Sequence, residues 1–286
     1  MTYRTILLPL ASGVMTESPI KVALRVAEMF EAHVEVLHVR PDPRNMIPYV
    51  GEGMSGALIE EVMTAADKEA GDRAVQAHRA FHRFAEEHRI PLASAPQRGL
   101  SAEWREESGR EDEVIAFAGR VADLIVVSRP LGDAEVESSA IFETALFETG
   151  QALLVAPPAR VENLGQRIMI AWNGSPEAAR AVTSALPFLD RSEAVRLMSV
   201  AGWAEGPGSV ASLARRLAWR DIHAEVEALD VRHGSIGETV TSEAARWGAD
   251  MIVMGAYTQS RFRQMILGGV TRHVLSTATL PLLMAH

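Results

Sequence analysis

The chain of 286 residues contains no cysteine. That excludes a disulfide framework and any zinc site built on thiolates, and it suits a reducing compartment, so a cytoplasmic location is the expectation. Long apolar runs are missing too, since nothing approaches the roughly 18 residues that a spanning helix needs. The opening MTYRTILLPLASG is a strand-length run without the longer apolar core and cleavage site of a signal peptide. The expectation is a soluble protein with no membrane partner.

Positive charge is scarce: 28 Lys and Arg stand against 37 Asp and Glu, for a net charge of −9. No basic stripe exists that could grip a phosphate backbone, so nucleic acid is not an expected partner. The scarcity is uneven. Residues 1–160 hold 25 carboxylates against 16 cations, whereas residues 161–286 hold 12 of each and no lysine at all. Arginine is thus the only constitutive cation of the second half, which fits a local anion site. Also missing are the GxSxG elbow, HExxH and the GxxxxGK[ST] phosphate loop. No nucleophile and base stand together, so no catalytic residue is nominated.

A hydrophobic content of 48% is enough for a real core in one large domain or two ordinary ones. Self-similarity decides between them. RTILLPLASG (4–13) matches QRIMIAWNGS (166–175), HVEVLHV (33–39) matches AVRLMSV (194–200), VADLIVVSRP (121–130) matches GADMIVMGAY (248–257), and GQALLVAPP (150–158) matches TLPLLMAH (279–286). Four matches in one order indicate a tandem duplication, with domains at 1–160 and 161–286 joined by APPARVENLGQ (156–166).

Helical patterns separate the apolar runs. SPEAARAVTSALPFL (175–189) repeats its apolar positions at three and four, with Ser175 as N-cap and Pro176 at the first helical position. Alternating strands and helices imply an α/β fold: two doubly wound, Rossmann-like domains, each a mostly parallel five-stranded sheet with helices on both faces. The first half carries an insertion at 42–88 whose back part reads as one helix from about 57 to 88. Its front part, with Met46, Ile47 and Tyr49, reads as a loop that either covers a partner or meanders.

Ligands of open parallel sheets bind beyond the carboxyl ends of the strands. After the fourth strand the second half reads Gly255, Thr258, nine residues, then Gly268, Gly269, Val270 and Thr271. Glycines admit an anion close to the backbone, and the first free N–H groups of a helix supply donors. The first half offers Ser128, Ser139 and Ala140 at the matching places, with Asp133, Glu135 and Glu137 crowding the loop against a phosphate. At the end of the first strand Asn173 stands opposite Ala11. The second copy therefore reads as the one that kept a site.

These residues resemble the universal stress protein family, in its tandem two-domain bacterial form. The nucleotide-binding branch of that family carries Gly-x2-Gly-x9-Gly-[Ser/Thr] after strand four, and the spacing is kept here. The resemblance implies that the two units pair through their last strands within one molecule; a homodimer of whole chains stays open. It implies ATP or another adenine nucleotide, with Mg as a possible companion, bound for sensing or regulation. Base and ribose would lie against Ala171, Trp172, Asn173 and Val200, with Met254 beneath the base. The phosphates would lie on Gly255, Thr258, Gly268, Gly269, Val270 and Thr271. Three positions depart from the family: Asn173 replaces an Asp, Thr258 a Gly, and Gly269 a Ser or Thr. A slow hydrolase at the same loop, and a nucleotide-free platform for a partner, are the alternatives.

Other residues admit two readings each. Ser260, Arg261 and Arg263 are phosphate contacts or a solvated loop, Thr271 is a ligand contact or a cap, and His273 is structural or exposed. His78 and His82 have metal-ligand spacing, with His38 or His88 as a third ligand, or form a simple surface pair; no metal site is nominated. Trp203 shields a base or anchors a loop, and Trp104 belongs to the third strand as core or interface.

Overall fold

The computed structural model of the chain describes residues 2–10, 17–41, 56–130, 136–200, 206–229, 235–257 and 269–286. In chain order the first half contains β1 (Thr5–Leu10), α1 (Glu17–Phe30), β2 (His33–Pro41), α2 (Gly56–Glu87), β3 (Ser101–Gly109), α3 (Glu111–Gly119), β4 (Leu124–Ser128), α4 (Val136–Glu148) and β5 (Leu153–Ala156). The second contains β6 (Arg167–Ala171), α5 (Pro176–Leu189), β7 (Ala194–Val200), α6 (Val210–Ala218), β8 (Ala224–Leu229), α7 (Ile236–Trp247), β9 (Met251–Gly255), α8 (Val270–Thr277) and β10 (Leu282–Ala285).

All ten strands form one sheet in the order β3-β2-β1-β4-β5-β10-β9-β6-β7-β8. Every ladder described is parallel except β5 with β10, where Leu154 faces Leu283. The halves thus run 3-2-1-4-5 and 8-7-6-9-10, two copies of one α/β order. The expected fold class is the observed one.

Strands covered on both faces must be apolar throughout rather than alternating. β4 (LIVVS), β5 (LLVA), β9 (MIVMG) and β10 (LLMA) meet that demand and are buried nearly to the last residue. One face carries α1, α2, α5 and α6, packed on Ile6, Leu8, Ile168, Ile170 and Leu283. The other carries α3, α4, α7 and α8, packed on Leu7, Ile125, Met169, Ile252 and Met284. Each core layer runs without a break across both halves. At the seam, Tyr3, Phe30 and Phe188 form a triangle of rings with centroids 5.1 to 5.5 Å apart. The Tyr3 hydroxyl donates to the Ser184 carbonyl, and burial pushes its pKa upward.

One device is repeated. Asp250, just ahead of β9, accepts from the backbone N–H groups of Gly165, Gln166 and Arg167 at 3.0 to 3.1 Å, and its own N–H donates to the Arg167 carbonyl at 2.9 Å. Asp123, just ahead of β4, accepts from the N–H groups of Arg4 and Thr5 at 2.7 and 2.9 Å and donates to the Thr5 carbonyl at 3.0 Å. Each carboxylate fixes the start of the first strand of its half against the fourth. Burial pushes the Asp250 carboxyl up in pKa while its three backbone donors pull it down. Removing it leaves three backbone donors without this acceptor, two of them part-buried, so Asp250→Ala is expected to cost about 1–3 kcal/mol, read from the urea unfolding midpoint.

Candidate functional site

The parallel register brings the second half's strand ends to one line. Ala171 of β6 lies beside Met198 of β7 on one side and Met254 of β9 on the other, and Gly255 lies beside Ala285. Ala171, Trp172, Asn173, Val200, Met254 and Gly255 are therefore neighbours at the carboxyl edge, as the sequence pattern requires. Gly269, Val270 and Thr271 open α8 against the same edge. The Tyr257 N–H donates to the Thr271 hydroxyl at 3.2 Å, so the two ends of the intervening loop are stitched together. Thr258 and Gly268, and with them Ser260, Arg261 and Arg263, lie outside the described residues, as do Ala11, Met46, Ile47, Tyr49, Asp133, Glu135 and Trp203.

Several side chains at this edge are already engaged. Trp172 is buried on the α5 face, and its indole N–H donates to the Gly208 carbonyl at 2.8 Å, holding the turn after β7. Its backbone N–H donates to the Met198 carbonyl at 2.8 Å. Asn173 accepts the Ser175 N–H at 3.1 Å through its side-chain oxygen, a local turn that leads into α5. Ala171, Val200 and Met254 are buried in the layer beneath α7 and α8 and form apolar walls. Thr271 is buried, and its hydroxyl is the acceptor of the stitch rather than a helix cap.

The two flanking glycines do different things. A Cβ on Gly255 would meet Ala178 N at 2.5 Å and Glu177 at 2.9 Å, because the start of α5 rests directly on the end of β9. Gly255 is needed for helix-on-strand packing, a reason that the sequence reading, which gave it to anion approach, did not contain. Gly269 is the reverse case: none of the described residues lies within 4 Å of where its Cβ would be, and its φ of −72° suits any residue.

Helix starts sharpen the contrast. An α-helix leaves its first N–H groups without intrahelical partners, and a side chain normally meets some of them. Ser175 accepts from Ala178 N for α5, Ser209 from Ser212 N for α6, and Ser235 from Glu238 N for α7, the last within a full capping box. At α8 the N-cap is Gly269, with no side-chain hydrogen bond and no acid in the first turn. Its second turn packs elsewhere, with the His273 ring over Gly237 of α7. Among the second half's four helices, α8 alone has an N-terminal end that no side chain of the described residues caps, and that end lies at the strand edge.

Residues 165–286 match the model of the Universal stress protein family. The second half is a universal stress protein domain. The whole chain is similar in fold to a universal stress protein from Archaeoglobus fulgidus DSM 4304, at 15% identity and TM-score 0.68, covering 99% of this chain and 96% of that one. It is also similar to a candidate universal stress protein from Pseudomonas aeruginosa UCBPP-PA14, at 15% identity and TM-score 0.56, covering 98% and 92%. No curated protein matches the sequence. At these identities the neighbours show that the full length shares the universal stress protein fold, first half included.

The first half's equivalent edge has diverged. Ser128 ends β4 where Gly255 ends β9, and Ser139 lies inside α4 rather than at its start. His78 and His82 meet on α2 with Nε2 atoms 3.0 Å apart. No group of three or more potential ligands able to hold a metal is found among the described residues, and no described helix is long and apolar enough to cross a membrane. Gly255→Ala is expected to lose about 1–3 kcal/mol of stability by overpacking against α5, measured by thermal or urea unfolding without any nucleotide.

Proposed function

We propose that the universal stress protein domain at 161–286 binds an adenine nucleotide, ATP first, at the carboxyl edge of β6, β7 and β9, and that the domain at 1–160 does not. Binding serves sensing or regulation. No general base or lysine stands at this edge among the described residues, so the role given to the nucleotide is occupancy rather than turnover. Ala171, Val200 and Met254 would wall the base. Asn173 would reach the ribose only by leaving the Ser175 N–H that it now accepts, at the cost of one local hydrogen bond, about 1 kcal/mol. The phosphates would lie over Gly269, Val270 and Thr271, with Gly268 and Thr258 across the loop.

The observation that carries the reading is the start of α8, which no described residue caps or covers. Orphan backbone donors and the helix dipole favour a phosphate there, and the absent side chain leaves room for one. Arg272, exposed in the first turn, adds a cation where an acid would ordinarily help the helix.

Gly269→Asp separates ligand binding from folding, because an aspartate at an N-cap stabilises a helix but repels a phosphate. The variant is expected to melt a few tenths to about 1 kcal/mol higher while its ATP affinity falls at least tenfold, measured by equilibrium dialysis. Ser139→Asp in the first half is expected to leave uptake unchanged. Undiminished binding by Gly269→Asp would move the ligand elsewhere, and equal loss from Ser139→Asp would end the assignment to one half.

A further inference from the structure

The first half's long helix α2 rests on the outer strands through an unusual set of side chains. It buries Ala70, Ala74, Phe81 and Ala85, and beside them the exposed His78 reaches Trp104 of β3. Trp104 of β3 is the centre: His38 of β2 stacks on it at 5.6 Å with an interplanar angle of 24°, His78 lies at 5.3 Å, and Phe81 at 5.9 Å. His82 meets the His78 ring at 4.4 Å.

His38 is placed where only the neutral form fits: it is 1% exposed and its Nδ1 has no hydrogen-bond partner among the described residues, so a second ring proton would be a buried donor without an acceptor. His78 and His82, nearer solvent, hold their Nε2 atoms 3.0 Å apart, a spacing that one shared proton satisfies, so both rings cannot carry a proton on Nε2 at once. The charged neighbours do not rescue a cation. On α2, Arg73 acts on His38 and its buried Nε also lacks a partner, while Asp67 is engaged with Arg40 of β2 at 2.7 Å. On β3, Glu106 acts on both His38 and His78, but it is shared with Arg40 at 4.0 Å.

We propose that α2 is a proton-sensitive latch, docked on β2 and β3 while His38 and His78 are neutral and released when they take up protons. Burial first, and Arg73 further, hold His38 below the ordinary histidine value, against the pull of Glu106. Burial first, then His82, do the same for His78, again against Glu106. Undocked histidines titrate near pH 6.5, so they bind protons before the docked ones do. Docking is therefore strongest above that value and weakens as pH falls through it toward the lowered docked values. Release would uncover Trp104, giving this half a signal of its own, independent of any nucleotide in the other.

Hydrogen exchange on the full chain at pH 7.8 and pH 6.0, corrected for intrinsic rates, tests this. Protection over residues 60–87 is expected to fall roughly tenfold at the lower pH, since each histidine contributes a few-fold, while α1 and α5 keep theirs. The indole resonance of Trp104 is expected to shift over the same range. His78→Gln with His82→Gln, on the exposed side of α2, should lessen the fall without unfolding the chain; His38→Met should lessen it further; His223→Gln in the second half should not change it. Equal protection of α2 at both pH values, or an undiminished fall in the double variant, would overturn the latch.

Discussion

The antiparallel ladder between β5 and β10 is the constraint from which the rest of the architecture follows. Leu153, Leu154 and Val155 meet Leu282, Leu283 and Met284 with almost no exposed surface on either side. A parallel half-sheet ending at β5 or β10 would present an apolar edge, the kind that proteins cover or pair. Here each edge is the other's cover. Pairing them moves the free edges out to β3 and β8 and brings α1 beside α5, and α4 beside α8, at the centre of the two layers. The Tyr3, Phe30 and Phe188 triangle fills the seam on one face. On the other, Phe147 of α4 contacts both Tyr257 and His286. Tyr257, held at φ +52°, is the residue from which the glycine loop departs. The first half thus braces the entrance to the second half's loop.

Within that shared frame, the two halves differ at their ends rather than in their middles. Asp123 and Asp250 perform the same task at the amino edges, and the buried strands are interchangeable in character. At the carboxyl edges little is common. One half closes its fourth strand with Ser128, the other with a glycine that admits the start of α5. Above its outer strands one half carries a 32-residue helix where the other carries nine residues of α6. Such a scaffold is stabilised by the parts that stay alike, and the connections beyond its strand ends are freer to diverge.

Much of the scaffold was legible because its signals are local. Strand-length apolar runs repeated in one order gave the α/β class, Ser175 with Pro176 marked the start of α5, and the long helix begins and ends within a residue of its expected bounds. The site was legible as a neighbourhood, since strand ends in a parallel sheet must adjoin. What each residue does there was not, because it depends on contacts far apart in sequence. Nothing near Trp172 says that its indole will hold Gly208, and nothing near His38 says that Trp104 and α2 will enclose it. Asp250 could have been found, for the Ala-Asp pair stands before both fourth strands, and a shared acid at a matched place is a structural signal. His78 and His82 were recognised as a pair, but Trp104, the neighbour of His78 on β3, lies 26 residues beyond it.

The two glycines that flank the loop carry the larger lesson about motifs. Spacing treats Gly255 and Gly269 as equals, yet one is required by protein packing and the other by nothing among the described residues. A glycine forced by the 2.5 Å approach of Ala178 N will persist whether or not a ligand binds, so its presence does not argue for one. A residue with free space, ordinary backbone angles and an unmet capping duty is different, because serine or aspartate would serve the helix better there. Keeping glycine leaves α8 less stable than its sequence neighbours could make it, and leaves its first N–H groups open. Such a cost, borne at a helix start that faces the strand edge, is the physical form that a retained anion site would take.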